Sequence, residues 1–274
     1  MVKIKTMKKN TFKSAVLSAL LFLGLSTGNS QAAVTDTNLL NNLDTTVLTD
    51  GFDGLIKDGG FGLHFNPGNS GAPLAGGLLP VGFKVTGELG FVSLSSGAQS
   101  LIKAAGGSDL SMVPFPKVKL QVGIPFGLDF GYQMVSLGST IQSSGFEVRF
   151  DVSSFIPLPI LDVAARYHSS NGNLTEDLAL KSTGFDVTIG ANLPIIKPYL
   201  NLGTLTVTGT PSDAFIAQYA AVPALADVIK EKEFSGSVRT IGVKLTPLPL
   251  FCIFAEQTAY EESSMISVGF GIDF

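Results

Sequence analysis

The chain has 274 residues, 45% hydrophobic and 15% charged, with 31 glycines, 20 phenylalanines, no tryptophan and one cysteine. A net charge of −4, from 18 basic and 22 acidic residues, argues against nucleic acid or an anionic lipid surface as a general partner. Mean hydropathy is +0.37. No apolar run of about 18 residues follows the first thirty, which excludes helical membrane spans, and the lone Cys252 excludes an internal disulfide.

The chain opens with a basic stretch, Lys3, Lys5, Lys8, Lys9 and Lys13, then an apolar run from Ala15 to Leu25, then Ser30-Gln31-Ala32-Ala33. Residues 1–33 read as a secretory signal peptide: the run is too short to span a bilayer, and Ser30 and Ala32 satisfy the small-x-small rule for cleavage. No Cys lies near the cut, which argues against a lipid anchor. Losing five lysines leaves 13 basic against 22 acidic residues, a net of −9.

Residues 34–79 form a separate N-terminal segment. Leu39, Leu40, Leu43 and Val47 have helical spacing, as do Phe52, Leu55 and Ile56, and the glycine-rich Gly59-Gly60-Phe61-Gly62 follows. Such a segment either lies along the periplasmic rim or folds into a barrel lumen as a plug.

From residue 80 onward the pattern changes to strict alternation. Phe83, Val85, Leu89 and Phe91 alternate with Lys84, Thr86, Glu88 and Gly90. The same period recurs around 117–122, 126–134, 146–152, 161–168 and 185–192. Later candidates are Tyr199–Thr208, Arg239–Thr246 and Leu250–Tyr260; in the last of these Phe254 shares a parity with Glu256, which predicts a bulge or an inward apolar patch. The final strand, Ser263–Phe274, places Ile266, Val268, Phe270, Ile272 and Phe274 on one face and brings the count to ten.

Short proline-bearing turns at 123–125, 156–159, 193–198 and 246–249 contrast with longer polar connections at 95–116, 136–144, 169–182 and 209–235. Short turns at one rim and long loops at the other are the asymmetry of an outer-membrane barrel. In the 212–232 loop, Ser212 or Asp213 caps a helix-like stretch that Pro223 bends or divides. The expected fold is therefore all-β: a transmembrane antiparallel barrel of about 10 strands (8–12) over 80–274, preceded by a partly helical plug or periplasmic segment. A soluble sandwich or barrel fits less well, because the polar faces are rich in Gly, Ser and Thr and the phenylalanines sit on the apolar faces.

The inward-facing candidates are Lys84, Glu88, Lys119, Asp129, Glu147, Arg149, Asp151, Asp162, Arg166 and Asp186, with Lys117, Lys244, Glu256 and Asp273 on the same parity. They predict either interior ion pairs that fill a narrow lumen or a pore lining. No metal-ligand spacing surrounds His64 or His168, and no nucleotide-binding glycine motif is present, so no cofactor is expected. His168-Ser169-Ser170, with Glu176 and Asp177 in the next loop, is the one constellation that suggests a lipid hydrolase or acyltransferase at the long-loop rim. Neighbours on a strand point to opposite faces, which disfavours an enzyme. Cys252 reads as a small apolar wall residue.

Val268, Phe270, Ile272 and Phe274 resemble the aromatic closing strand that the barrel-assembly machinery of the outer membrane recognises. Leu79-Pro80-Val81-Gly82-Phe83, Pro116-Lys117-Val118 through Asp129, Lys197-Pro198-Tyr199 and the Pro247-Leu248-Pro249 turn before Glu256 resemble a family of uncharacterised outer-membrane barrels of Gram-negative bacteria. A looser similarity is to outer-membrane long-chain fatty-acid transporters, larger barrels that also carry an N-terminal plug. These resemblances imply outer-membrane lipid and lipopolysaccharide and the assembly machinery as partners. They imply a structural role, or transport of a small solute such as a hydrophobic ligand.

Overall fold

The computed structural model describes residues 45–75, 81–104, 109–138, 141–152, 155, 160–174, 177–219 and 228–274. The leader, Leu39, Leu40, Leu43, the 156–159 turn, Glu176 and Pro223 lie outside the described residues. Ten strands close into one antiparallel barrel in which each strand pairs with its sequence neighbours and the first pairs with the last. They are β1 (Gly82–Ser93), β2 (Met112–Ile124), β3 (Leu128–Leu137), β4 (Ile141–Asp151), β5 (Leu161–Leu174), β6 (Leu178–Ala191), β7 (Ile196–Pro211), β8 (Lys232–Leu248), β9 (Phe251–Tyr260) and β10 (Ser263–Asp273). At the seam the register runs from Lys84 opposite Asp273 to Val92 opposite Met265. Phe274 extends it: its N–H donates to the Phe83 carbonyl at 2.8 Å and its own carbonyl accepts from Phe83 at 3.2 Å. Closure leaves no open sheet edge.

Both ends of the barrel wall, Gly82 and Phe274, lie at one rim, with the turns after β2, β4, β6 and β8. The β2–β3 turn shows how tight this rim is. Phe126 and Gly127 both take positive φ, 75° and 70°, the handedness that matches the twist of a hairpin.

The wall has two zones of opposite polarity. Nearest the turn rim, outward positions are apolar and exposed, among them Phe83, Phe130, Leu200, Ile253, Val268 and Phe270. The nine residues from Ile266 in β10 to Phe274 just past it carry this band; at roughly 3.3 Å per residue and a tilt near 40° they cover about 23 Å, close to the apolar height of an outer-membrane barrel. Towards the loop rim the pattern inverts. Outward positions become polar, as in Gln142 and Ser144 or Thr206, Thr208 and Thr210. Inward positions become apolar, with Val92, Phe115, Val135, Leu180, Leu205 and Val207 in one buried cluster.

This inversion corrects two of the predicted loops. Residues 136–144 and 169–182 are mostly paired strand, with β3 and β4 joined across 138–140 and β5 and β6 across 175–177. Their Ser, Asn and Gly content reads as loop, but it marks a wall that has risen above the apolar band and meets water. Only the β1–β2 and β7–β8 connections are long. They carry α2 (Ser96–Ala104) and α3 (Asp213–Tyr219). Ser212 caps α3, accepting from the Phe215 N–H at 3.2 Å.

Inside the upper zone lies α1 (Thr45–Gly62), which continues through the glycine-rich stretch instead of ending before it. Gly costs about 1 kcal/mol in a helix relative to Ala. Here tertiary packing overrides that cost, because a Cβ on Gly60 would collide with Val207 and one on Gly62 with Phe115. Among the described residues no helix is long and apolar enough to cross a membrane.

Candidate functional site

The lumen holds the chemistry. After α1 the chain runs on as an extended segment, Leu63 to Ala75, from the boundary between the two zones to the turn rim. The polypeptide thus threads the barrel before building its wall. At Gly68, φ is +54°, and the segment bends where it passes the ring of Phe254.

An extended segment has backbone groups that no secondary structure satisfies, and burying them without partners is costly. The inward side chains of the lower zone take that role. Gln133 donates to the Leu63 carbonyl at 2.8 Å, Lys117 to His64 at 2.8 Å, Arg166 to Phe65 at 2.6 Å and Lys119 to Asn66 at 2.8 Å. Lys84 donates to the Gly68 carbonyl at 2.8 Å and Arg149 to that of Ala72 at 2.9 Å. The acids take the donors: Glu256 accepts from the Gly68 N–H at 3.1 Å, Asp129 from that of Leu74 at 3.4 Å, and Glu88 from the Asn66 amide at 2.7 Å.

The same charges pair with one another. Arg166 grips Asp186 at 2.9 and 2.6 Å and reaches Glu147 at 3.3 Å; Arg149 pairs with Asp129, Lys119 with Glu88, and Lys244 with Asp273 at 2.6 Å. Tyr199 donates to Glu256 at 2.6 Å, and Asn201 to Asp186 at 2.6 Å.

Lys84, Glu88, Lys119, Asp129, Glu147, Arg149, Asp151, Asp162, Arg166 and Asp186 all occupy inward positions, none more than 6% exposed. Asp151 and Asp162 lie at the turn-rim end. Val268, Phe270, Ile272 and Phe274 all point outward and are exposed. The two predicted uses of the charges, ion pairing and pore lining, omit the one the geometry shows most clearly: holding another stretch of backbone. Backbone carbonyls carry no sequence signature, so only the parity of Gln121, Gln133, Asn201 and Ser267, shared with the charges, hinted at the network.

His168 is not at the long-loop rim. It sits halfway up β5 because that strand continues to Leu174, and its side chain points inward, fully buried. Ser169 faces outward beside Thr183 at 3.3 Å, while Ser170 accepts from Gln133 at 2.9 Å. Cys252 and Phe254 point inward with Glu256, so the unclear parity of β9 is an inward apolar patch; the irregularity lies in β8, between Leu245 and Leu248.

At the loop rim, α1 and α2 are tied by Asp58, which accepts from the Ser95 N–H at 2.7 Å and its hydroxyl at 2.9 Å. Burial raises the Asp58 carboxyl above its ordinary value, against the pull of its Ser263 and Ser95 hydrogen bonds. Beside it, Asp50, Asp53, Lys57, Ser96, Glu261 and Glu262 line a polar cleft of about 390 Å³.

No family model and no curated protein matches this chain. Solved structures do. A loop-deletion mutant of OmpT, an outer membrane protein of Vibrio cholerae, overlaps 59% of this chain and 54% of its own at 13% identity and a TM-score of 0.30. This chain thus spans about half the length of that protein. The N-terminal β-barrel domain of Pseudomonas aeruginosa OprF overlaps 58% of this chain and 97% of its own, at 14% identity and a TM-score of 0.33. The KdgM porin in complex with oligogalacturonate overlaps 70% and 99%, at 7% identity and a TM-score of 0.38. At these overlaps none supplies a residue or a ligand for the lumen.

Proposed function

We propose that this chain is a bacterial outer-membrane barrel whose lumen is sealed by its own N-terminal segment, and that it acts as a structural, surface-presenting wall element rather than an open pore. The observation that carries this is the polarity of the lower zone: an exposed apolar belt outside and a charged lumen inside, filled by residues 63–75. A water-soluble barrel leaves no such belt in solvent. In this reading the belt contacts outer-membrane lipid and lipopolysaccharide, the turn rim faces the periplasm, and the strand ending in Phe274 is what the assembly machinery grips.

Passage of a solute, the competing role, requires residues 63–75 to leave. A hydrophobic cargo then meets a wall of buried charges. A Ser/His lipid-modifying enzyme has less support, because His168 and Ser169 point to opposite faces of β5.

Cell fractionation with heat-modifiable gel migration, followed by planar-bilayer recording, tests the proposal. The expected result is an outer-membrane protein with a heat-sensitive compact form and no steady conductance, and conductance once residues 45–75 are deleted. Recovery from the soluble periplasm sinks the location, and a stable open channel in the intact protein sinks the seal.

A further inference from the structure

Where the apolar upper zone meets the charged lower zone, two imidazoles face each other across the boundary between plug and wall. His64 comes from the threaded segment and His168 from β5. Their ring centroids are 4.7 Å apart with the planes at 76°, and both side chains are 0% exposed. Asp186 of β6 completes the group: one ligand atom from each of the three lies within 4.8 Å of the other two. Both ring nitrogens of His64 and Nδ1 of His168 have no hydrogen-bond partner in the described structure. Burying such a group unpaired costs about 1–3 kcal/mol, and three at one spot amount to an unmet demand for a ligand.

Asp186 organises the group. Its Oδ2 lies 3.2 Å from His168 Nε2. A carboxylate only accepts, so Nε2 carries the proton and Nδ1 keeps its lone pair. A carboxylate that fixes a tautomer in this way is the usual outer partner of a metal-bound histidine. The nearest cations, Arg166 and Lys117, are already matched by Asp186 and Glu147 and, at 3.7 Å, by Glu88.

We propose that His64 and His168, with Asp186 as their carboxylate partner, bind a divalent transition metal ion of the zinc class, and that the metal staples the plug to the barrel wall. Imidazole nitrogen is a donor such ions take, and the Asp186 carboxylate acts on the site through the His168 Nε2–H. Tetrahedral coordination at about 2.1 Å sets two imidazole nitrogens roughly 3.4 Å apart, and rings whose centroids lie 4.7 Å apart reach that spacing by rotation. The site depends on the threaded plug and not on where the barrel resides, so its failure in detergent leaves the proposed location and seal untouched.

These are the only two histidines in the chain, so an untagged protein offers no competing imidazole. The full-length chain, refolded in detergent with Zn²⁺ and desalted, is expected to retain roughly one equivalent by elemental analysis. Loading with Co²⁺ instead is expected to give the intense visible bands of a low-coordinate nitrogen–oxygen site. His64→Gln and His168→Gln are expected to weaken retention by about 100-fold or more, and Asp186→Asn by about 10–100-fold. Heat-modifiable migration checks that each variant folds. Folded wild type that retains no more metal than the His64→Gln, His168→Gln double variant overturns the proposal, as does a Co²⁺ spectrum of the hexaaquo ion. Should the His variants fail to fold, the wild-type stoichiometry and spectrum decide alone.

Discussion

The two zones of the barrel solve the same problem with opposite materials. In the upper zone the interior is apolar and the filler is a helix, α1, whose backbone is satisfied within itself. There the wall need only supply shape, and Val207 and Phe115 close directly on glycines. In the lower zone the filler is an extended segment with few hydrogen bonds of its own, among them Asn69 to the Ala72 carbonyl, so the wall must supply donors and acceptors one by one, and it does so mainly with charges. Filler conformation and wall chemistry change together at His64. The outside reverses at about the same height; in the proposed location this follows because a wall facing hydrocarbon must be apolar while one facing water need not be. A single strand therefore changes its inward residue type from charged to apolar without any break in pairing.

The lower zone was legible from residues, the upper zone less so. Strict alternation through Phe83–Phe91 or Phe126–Met134 assigned the outward faces, and the count of ten and the seam followed from the terminal strand. In the upper zone the apolar parity switches: Leu178 and Leu180 are even while Phe185 and Val187 are odd, and Leu200 and Leu202 are even while Leu205 and Val207 are odd. That switch was readable as inversion, yet polar Ser and Asn on the other face made these stretches look like loops. That residues 34–79 enter the lumen was one of two readings of the sequence; the path of 63–75 within it was not legible, since most of the bonds that hold it end on backbone groups.

Arg166→Ala is expected to break the lower zone most. It leaves Asp186 and Glu147 without their shared cation and the Phe65 carbonyl without its donor, a loss of about 3–5 kcal/mol for a buried pair with one partner removed. The heat-modifiable transition is expected to drop accordingly and bilayer conductance to appear. A variant that stays closed and equally stable would show that packing by α1, not the charge network, holds the plug.

A matched pair on β7 sharpens the outer boundary. Leu200 and Thr208 both face outward, the first in the apolar band and the second above it. Leu200→Arg is expected to lower stability in lipid bilayers by about 2–4 kcal/mol, as for a cation near the midplane. Thr208→Arg is expected to change it by less than about 0.5 kcal/mol. Equal effects at the two positions would erase the division between zones.

A smaller effect than those of Arg166 and Leu200 concerns the rim latch at Asp58. Its folded-state carboxyl titrates above the ordinary value of 3.8 because burial disfavours the anion. Between the ordinary and the raised value the folded protein binds more protons than the unfolded chain, so stability falls as pH rises through the folded pKa. Asn reproduces the neutral acid and does not titrate. Its carbonyl still accepts from Ser95 and its amide donates to Ser263. Asp58→Asn is therefore expected to match wild type in acid and to gain on it, by about 1 kcal/mol or less, as pH rises towards neutrality. Melting temperatures of both proteins from pH 4 to pH 8 measure the difference. A constant offset would mean that the α1–α2 latch depends on the bonds Asp58 makes and not on its charge, which would bring the rim under the rule of the upper zone, where shape and neutral contacts suffice.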